Sequence, residues 1–170
     1  MPQPQFDLLR AFDPKRLSNF ELGPEQSRAL LTSFLASLGS DFERLRQAWQ
    51  VCLDAFAKVN GRQAQQAMQG LSDEPLNNPP AVRACVQKAM EAAHHFKGLV
   101  GLFATPPLLQ DVNTLEQSLL HLKETESMDV IQVQALSEQL QALERQTERL
   151  QHQAQMHLDV HLPECKGSSQ

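Results

Sequence analysis

The sequence predicts an all-α protein: an antiparallel up-and-down four-helix bundle with a short N-terminal capping helix. Three observations lead there. Apolar residues recur at alternating spacings of three and four in four long segments, the period of a helix with one buried face. Strand-like alternation is absent from the sequence. The last three segments are joined by short polar or proline-containing turns, which favour antiparallel neighbours. The 170 residues, 41% of them apolar, suffice for a single domain with its own core.

Residues 1–23 are expected to cover one end of the bundle, through the apolar element Phe6-x-Leu8-Leu9-x-x-Phe12. The first long helix is expected over 24–59, on the stripe Leu31, Leu35, Leu38, Phe42, Leu45, Trp49, Cys52, Phe56, Val59. Its phase survives Gly39-Ser40, so this is one helix with any bend at that dipeptide. Pro24 suits a first helical turn and Asn60-Gly61 suits an end. Residues 60–80 lose the period and finish in Asn77-Asn78-Pro79-Pro80, which reads as an exposed connector with a short helix around 63–68. The second helix, 81–104, carries Val82, Val86, Ala89, Ala93, Phe96, Val100 and Phe103. Thr105 and Pro106 then read as N-cap and first residue of the third helix, 106–123, with Leu108, Val112, Leu115, Leu119 and Leu122 inward. After a polar turn at Lys123–Ser127, the fourth helix, 128–160, carries Val133, Leu136, Leu140, Leu143, Thr147, Leu150 and Ala154.

Composition narrows the function. A net charge of −5 argues against a general nucleic-acid binder and against an anionic membrane surface. No apolar run approaches the roughly 20 residues of a spanning helix. Met1-Pro2-Gln3-Pro4 lacks the basic and apolar regions of a secretory signal. The three cysteines, Cys52, Cys85 and Cys165, are odd in number and without a CxxC pair, which argues against disulfides. A cytoplasmic monomer is the expectation.

The chemistry-bearing stretch is Ala93-His94-His95-Phe96-Lys97-Gly98. Measured from the core stripe at about 100° per residue, His94 falls at the solvent boundary and His95 on the other flank. Lys97 lies between His94 and the core edge, one turn from the histidine. Gly98 and Gly101 fall beside them. Each glycine costs roughly 1 kcal/mol against alanine within a helix, and close approach of a partner is a reason to accept that. Together with Met90 and Glu91 they form the expected docking face. Spacing alone reads His94 and His95 as solvated surface residues before it reads them as a site.

The run from Ala93 to Gly98 resembles the phosphoryl-accepting signature of histidine-containing phosphotransfer (HPt) domains of bacterial phosphorelays. Ala104-Thr105, Leu108, Val112 and Leu115-Glu116 follow in the family's register, and Phe12-Asp13-Pro14 and the Leu30–Trp49 helix resemble its entry segment and second helix. The likeness spans about residues 12 to 122 and is most specific over 93–116. Leu99 in place of a small residue, Ala104 in place of a glycine and the long 60–80 connector depart from the family pattern, and none lies on the His94 face.

The resemblance implies a four-helix bundle in which His94 is phosphorylated and Lys97 steadies the phosphoryl group. It implies receiver domains of response regulators and a hybrid histidine kinase as partners, with Mg²⁺ held by the receiver and no cofactor of the chain's own. No Walker-type loop or kinase-like ATP site is present, so self-phosphorylation from ATP is not expected. The competing readings are a bundle that binds a receiver or another signalling partner without accepting phosphate, and a dimerising histidine-kinase fragment. The second is weakened by His95, which stands where that group has an acidic residue.

One further constellation, His157-x-x-x-His161-x-x-x-Cys165, has metal-ligand spacing on a helix. Pro163 should break that helix, and no second ligand pair is near, so no metal site is predicted. His121 and His152 read as solvated.

Overall fold

A computed structural model describes residues 10–70, 80–125 and 129–162. Among these residues the chain forms five helices: α1 Pro14–Ser18, α2 Pro24–Met68, α3 Pro80–Val100, α4 Pro106–Glu124 and α5 Val130–His161. None is long and apolar enough to cross a membrane. The only extended pairing among them is an isolated bridge between Phe12 and Ala104.

The four long helices form a helical bundle in which α2 packs principally on α3 and α5, and α4 also packs on α3 and α5. Their stripes meet in one core. Leu31, Leu38, Phe96, Phe103, Leu108, Leu119, Leu143 and Leu150 are almost wholly removed from solvent, each contributing about 1.5–3 kcal/mol by that burial. Phe34 meets Phe103 edge-on, ring centroids 4.8 Å apart, and Phe42 meets Phe96 at 5.4 Å. On the other side of α2, the Trp49 indole donates to Ser137 Oγ (3.1 Å), and Arg28 donates to the carbonyl of Leu162.

Helix starts follow local chemistry. Pro106 begins α4, with Thr105 as N-cap. The Thr105 hydroxyl does not cap α4 but donates to the carbonyl of Arg10 (2.6 Å). Asp129 begins α5 with a capping box: its carboxylate accepts from Gln132 N (2.7 Å), and Gln132 Oε1 accepts from Asp129 N (3.2 Å).

Three expectations need correction. The N-terminal helix described is Pro14–Ser18, and Phe12, the last residue of the apolar run, lies outside it; Phe6, Leu8 and Leu9 lie outside the described residues. Phe12 is extended and buried. Asp13 N donates to the carbonyl of Phe103 (2.8 Å) and Thr105 N to that of Ala11 (2.9 Å), so the entry segment is laced to the end of α3. Second, α2 does not stop at Asn60-Gly61 but runs on to Met68, absorbing the first part of the 60–80 connector. Gly61, Arg62 and Gln65 on this stretch are exposed. A positive φ of 67° appears at Gly70 instead, the left-handed turn that glycine tolerates at helix ends. Third, α3 ends at Val100, not 104, and Gly101 to Phe103 form a turn. Phe34, absent from the predicted stripe, is in the core at 3% exposure.

Candidate functional site

His94 lies in the last two turns of α3, beside α4. Its flanks Ala92, Ala93 and Phe96 are buried, and they fix the roll of the helix. With that roll set, the His94 side chain stands 74% exposed.

Asn113 and Glu116 sit one turn apart on α4, each one residue off the buried positions Val112 and Leu115. They face α3 at two levels. His94 Nδ1 is 2.7 Å from Glu116 Oε1. Lys97 Nζ donates to Glu116 Oε2 (2.7 Å) and to Asn113 Oδ1 (2.8 Å). A single carboxylate, its side chain only 14% exposed, therefore grips both the histidine and the lysine.

Burial pushes the Glu116 pKa up, but the hydrogen bonds from Lys97 and His94 pull it down by more, so the net shift is downward. An ionised carboxylate only accepts hydrogen bonds. The Nδ1 of His94 must then carry the ring proton, which in a neutral imidazole leaves the Nε2 lone pair as the nucleophile. The carboxylate also holds the ring's orientation and favours any positive charge that develops on it.

The remaining predicted docking residues are placed unequally. Gly98 is exposed, and a Cβ built on it meets nothing within 4 Å. Gly101 differs. It lies past the end of α3, a Cβ there falls 3.2 Å from the Lys97 carbonyl oxygen, and its own carbonyl accepts from Arg16. A local steric reason for this glycine therefore stands beside the partner approach expected from the sequence. Met90 is half-buried against the core, whereas Glu91 is exposed and accepts from Gln87 Nε2 (2.7 Å). His95 is exposed, as are His121 and His152.

Glu116 and Asn113 were not among the predicted site residues. A polar pair one turn apart and adjacent to the buried stripe was visible in the sequence; what it faces was not. The His157–His161 pair lies at the far end of α5, ring centroids 4.7 Å apart, and Cys165 is outside the described residues. Among the described residues no group of three or more His, Cys, Asp or Glu side chains is placed to hold a metal ion. Compared with protein-family models, curated proteins and solved structures, the chain matches none.

Proposed function

We propose that this chain is a histidine phosphotransfer protein, which takes a phosphoryl group from a receiver-domain aspartate onto Nε2 of His94 and passes it to a second receiver. The observation that carries the reading is the exposed imidazole with Nδ1 held by Glu116, whose other oxygen is held by Lys97. The resemblance of residues 93–116 to HPt domains points the same way. So do the contacts between helices: Phe34–Phe103 with Phe42–Phe96, and Arg28–Leu162 with Trp49–Ser137, step in opposite directions along their helices. That stepping supports an antiparallel up-and-down bundle.

In the forward step the Nε2 lone pair attacks the phosphorus of the aspartyl phosphate. The N–P bond forms, the bond from phosphorus to the aspartate oxygen breaks, and the receiver keeps the freed carboxylate. The Nδ1 proton stays in place, so the ring becomes cationic as it gains a phosphoryl group of roughly −2 charge. Glu116 meets the ring's positive charge. Lys97 offsets the charge of Glu116, so that a half-buried carboxylate does not repel the incoming phosphoryl group uncompensated. Such a transfer asks for positioning and electrostatics more than covalent help. The receiver supplies Mg²⁺, and a hybrid histidine kinase stands upstream in the same cytoplasmic relay.

The test is transfer from receiver domains phosphorylated in Mg²⁺ with a small-molecule phosphodonor. The expected result is acid-labile, base-stable phosphate on this chain, mapped to His94 and absent from His94→Gln. A chain that binds a phosphorylated receiver and never takes its phosphate is a non-catalytic binding module, and the proposal fails.

A further inference from the structure

Two of the three cysteines, far apart in sequence, are brought to one level of the core. The contact between Phe34 on α2 and Phe103 after α3 sets the alignment of the two helices. Eighteen residues make five helical turns at about 3.6 per turn, and so return to the same face. Eighteen residues on from Phe34 is Cys52, and eighteen back from Phe103 is Cys85. The path back from Phe103 keeps helical hydrogen bonds at Gly101 and Ala104 and tightens at Leu102 and Phe103, whose N–H groups donate to the carbonyls of Leu99 and Val100; the nearness of the two thiols also shows in the influence of Cys85 on Cys52. The Phe42–Phe96 pair gives the same register within one residue. Cys52 is 1% exposed, and Cys85 is half-buried against the same core. Both are free thiols.

Packed helix axes lie about 8–10 Å apart, with Cα atoms on cylinders of about 2.3 Å radius. Directly facing Cα atoms are then separated by about 3.4–5.4 Å, which overlaps the roughly 4.4–6.8 Å that a disulfide spans. We propose that Cys52 and Cys85 are a reactive dithiol pair, and that a peroxide converts it into a disulfide stapling α2 to α3.

The more exposed thiol reacts first. Burial, and then the neighbouring Cys85, push the Cys52 thiol up to about 12, so Cys52 stays protonated while hydrogen peroxide meets Cys85. The Cys85 sulfur attacks the peroxide; the O–O bond breaks, leaving a sulfenic acid and one water. The Cys52 sulfur then attacks the sulfenic sulfur. The S–S bond forms, the S–O bond breaks, and the hydroxide leaves as water with the Cys52 proton. Two thiols and one hydrogen peroxide give one disulfide and two waters. The staple closes the chain across residues 53–84, restricting the unfolded state more than the native one. It touches none of His94, Lys97 or Glu116, so it stands independently of the phosphotransfer reading.

The experiment uses the full chain, reduced, freed of reductant and exposed to a small excess of hydrogen peroxide. Remaining thiols are then blocked with N-ethylmaleimide under denaturing conditions. The expected product is a monomer two hydrogens lighter before blocking, carrying one maleimide, with the Cys52 and Cys85 peptides linked. Its melting temperature is raised by several degrees, and dithiothreitol returns it to the starting value. Cys165→Ser gives the same link. The proposal is overturned by three maleimides on the treated chain, by a link through Cys165, by a disulfide-bonded dimer, or by Cys85 reaching the sulfinic acid beside a free Cys52. The wild-type result does not depend on any variant folding.

Discussion

Glu116→Gln isolates the charge of the carboxylate that holds both His94 and Lys97. The substitution keeps an acceptor of nearly the same shape, so the His94 Nδ1 proton retains a partner, and Lys97 keeps Asn113. What disappears is the negative charge that the cationic ring would meet in the proposed transfer. A hydrogen bond to a charged group is worth about 1.5–3 kcal/mol. If it strengthens as the ring charge develops, the transfer rate falls about 10- to 100-fold at 1.4 kcal/mol per decade. Stability changes less, because both partners of Glu116 are solvent-facing, His94 at 74% and Lys97 at 37% exposure. Such pairs contribute up to about 1 kcal/mol. The assay is single-turnover transfer from a phosphorylated receiver, alongside a thermal melt of the same sample. Transfer at the wild-type rate by a folded Glu116→Gln variant would refute the role assigned to the carboxylate. The same group predicts a pH signature. Its folded pKa is depressed below the ordinary carboxylate value, so its stabilisation is present above that value and is lost as pH falls through the folded pKa. The gap in melting temperature between wild type and Glu116→Gln should therefore close in acid, and a gap that widens there contradicts the sign.

Three further outcomes are expected. His94→Gln should lose phosphate acceptance and His95→Gln keep it, both with nearly unchanged melting temperature because both side chains are exposed; a swapped result would move the site by one residue. Gly98→Ala should gain up to about 1 kcal/mol in a melt, since its Cβ meets open space, and Gly98→Arg should stay folded but lose transfer by blocking the receiver. Gly101→Ala should show no such gain, its Cβ pressing on the Lys97 carbonyl at 3.2 Å, and equal gains at the two glycines would remove the distinction. Phe96→Ala should cost about 3–5 kcal/mol in chemical denaturation, because Phe96 is fully buried against Phe42. A cost below about 1 kcal/mol would mean that the roll of α3, and with it the exposure of His94, is misread.

The sequence by itself determined the helices and their inward faces. Burial of one face imposes a period of 3.6, and that period is written locally, so the stripes from Val82 to Phe103 and from Leu108 to Leu122 were legible, as was the exposed His94. It also determined where α4 begins, because a proline at the first turn acts on its own neighbours. Elsewhere the local signal was silent. Past Val59 the apolar period fades from the sequence, and Gly61, Arg62 and Gln65 are exposed, so no local signal carried α2 on to Met68. Pairing between helices was equally out of reach, since it depends on how far one stripe slides along another. Only the packed structure brings Glu116 to His94 across α3 and α4, and sets Cys52 opposite Cys85 across α2 and α3. Both meetings join residues distant in the chain: that of Cys52 with Cys85 follows a register set between α2 and α3 by large core side chains such as Phe34 and Phe103, and that of Glu116 with His94 follows the packing of α4 on α3.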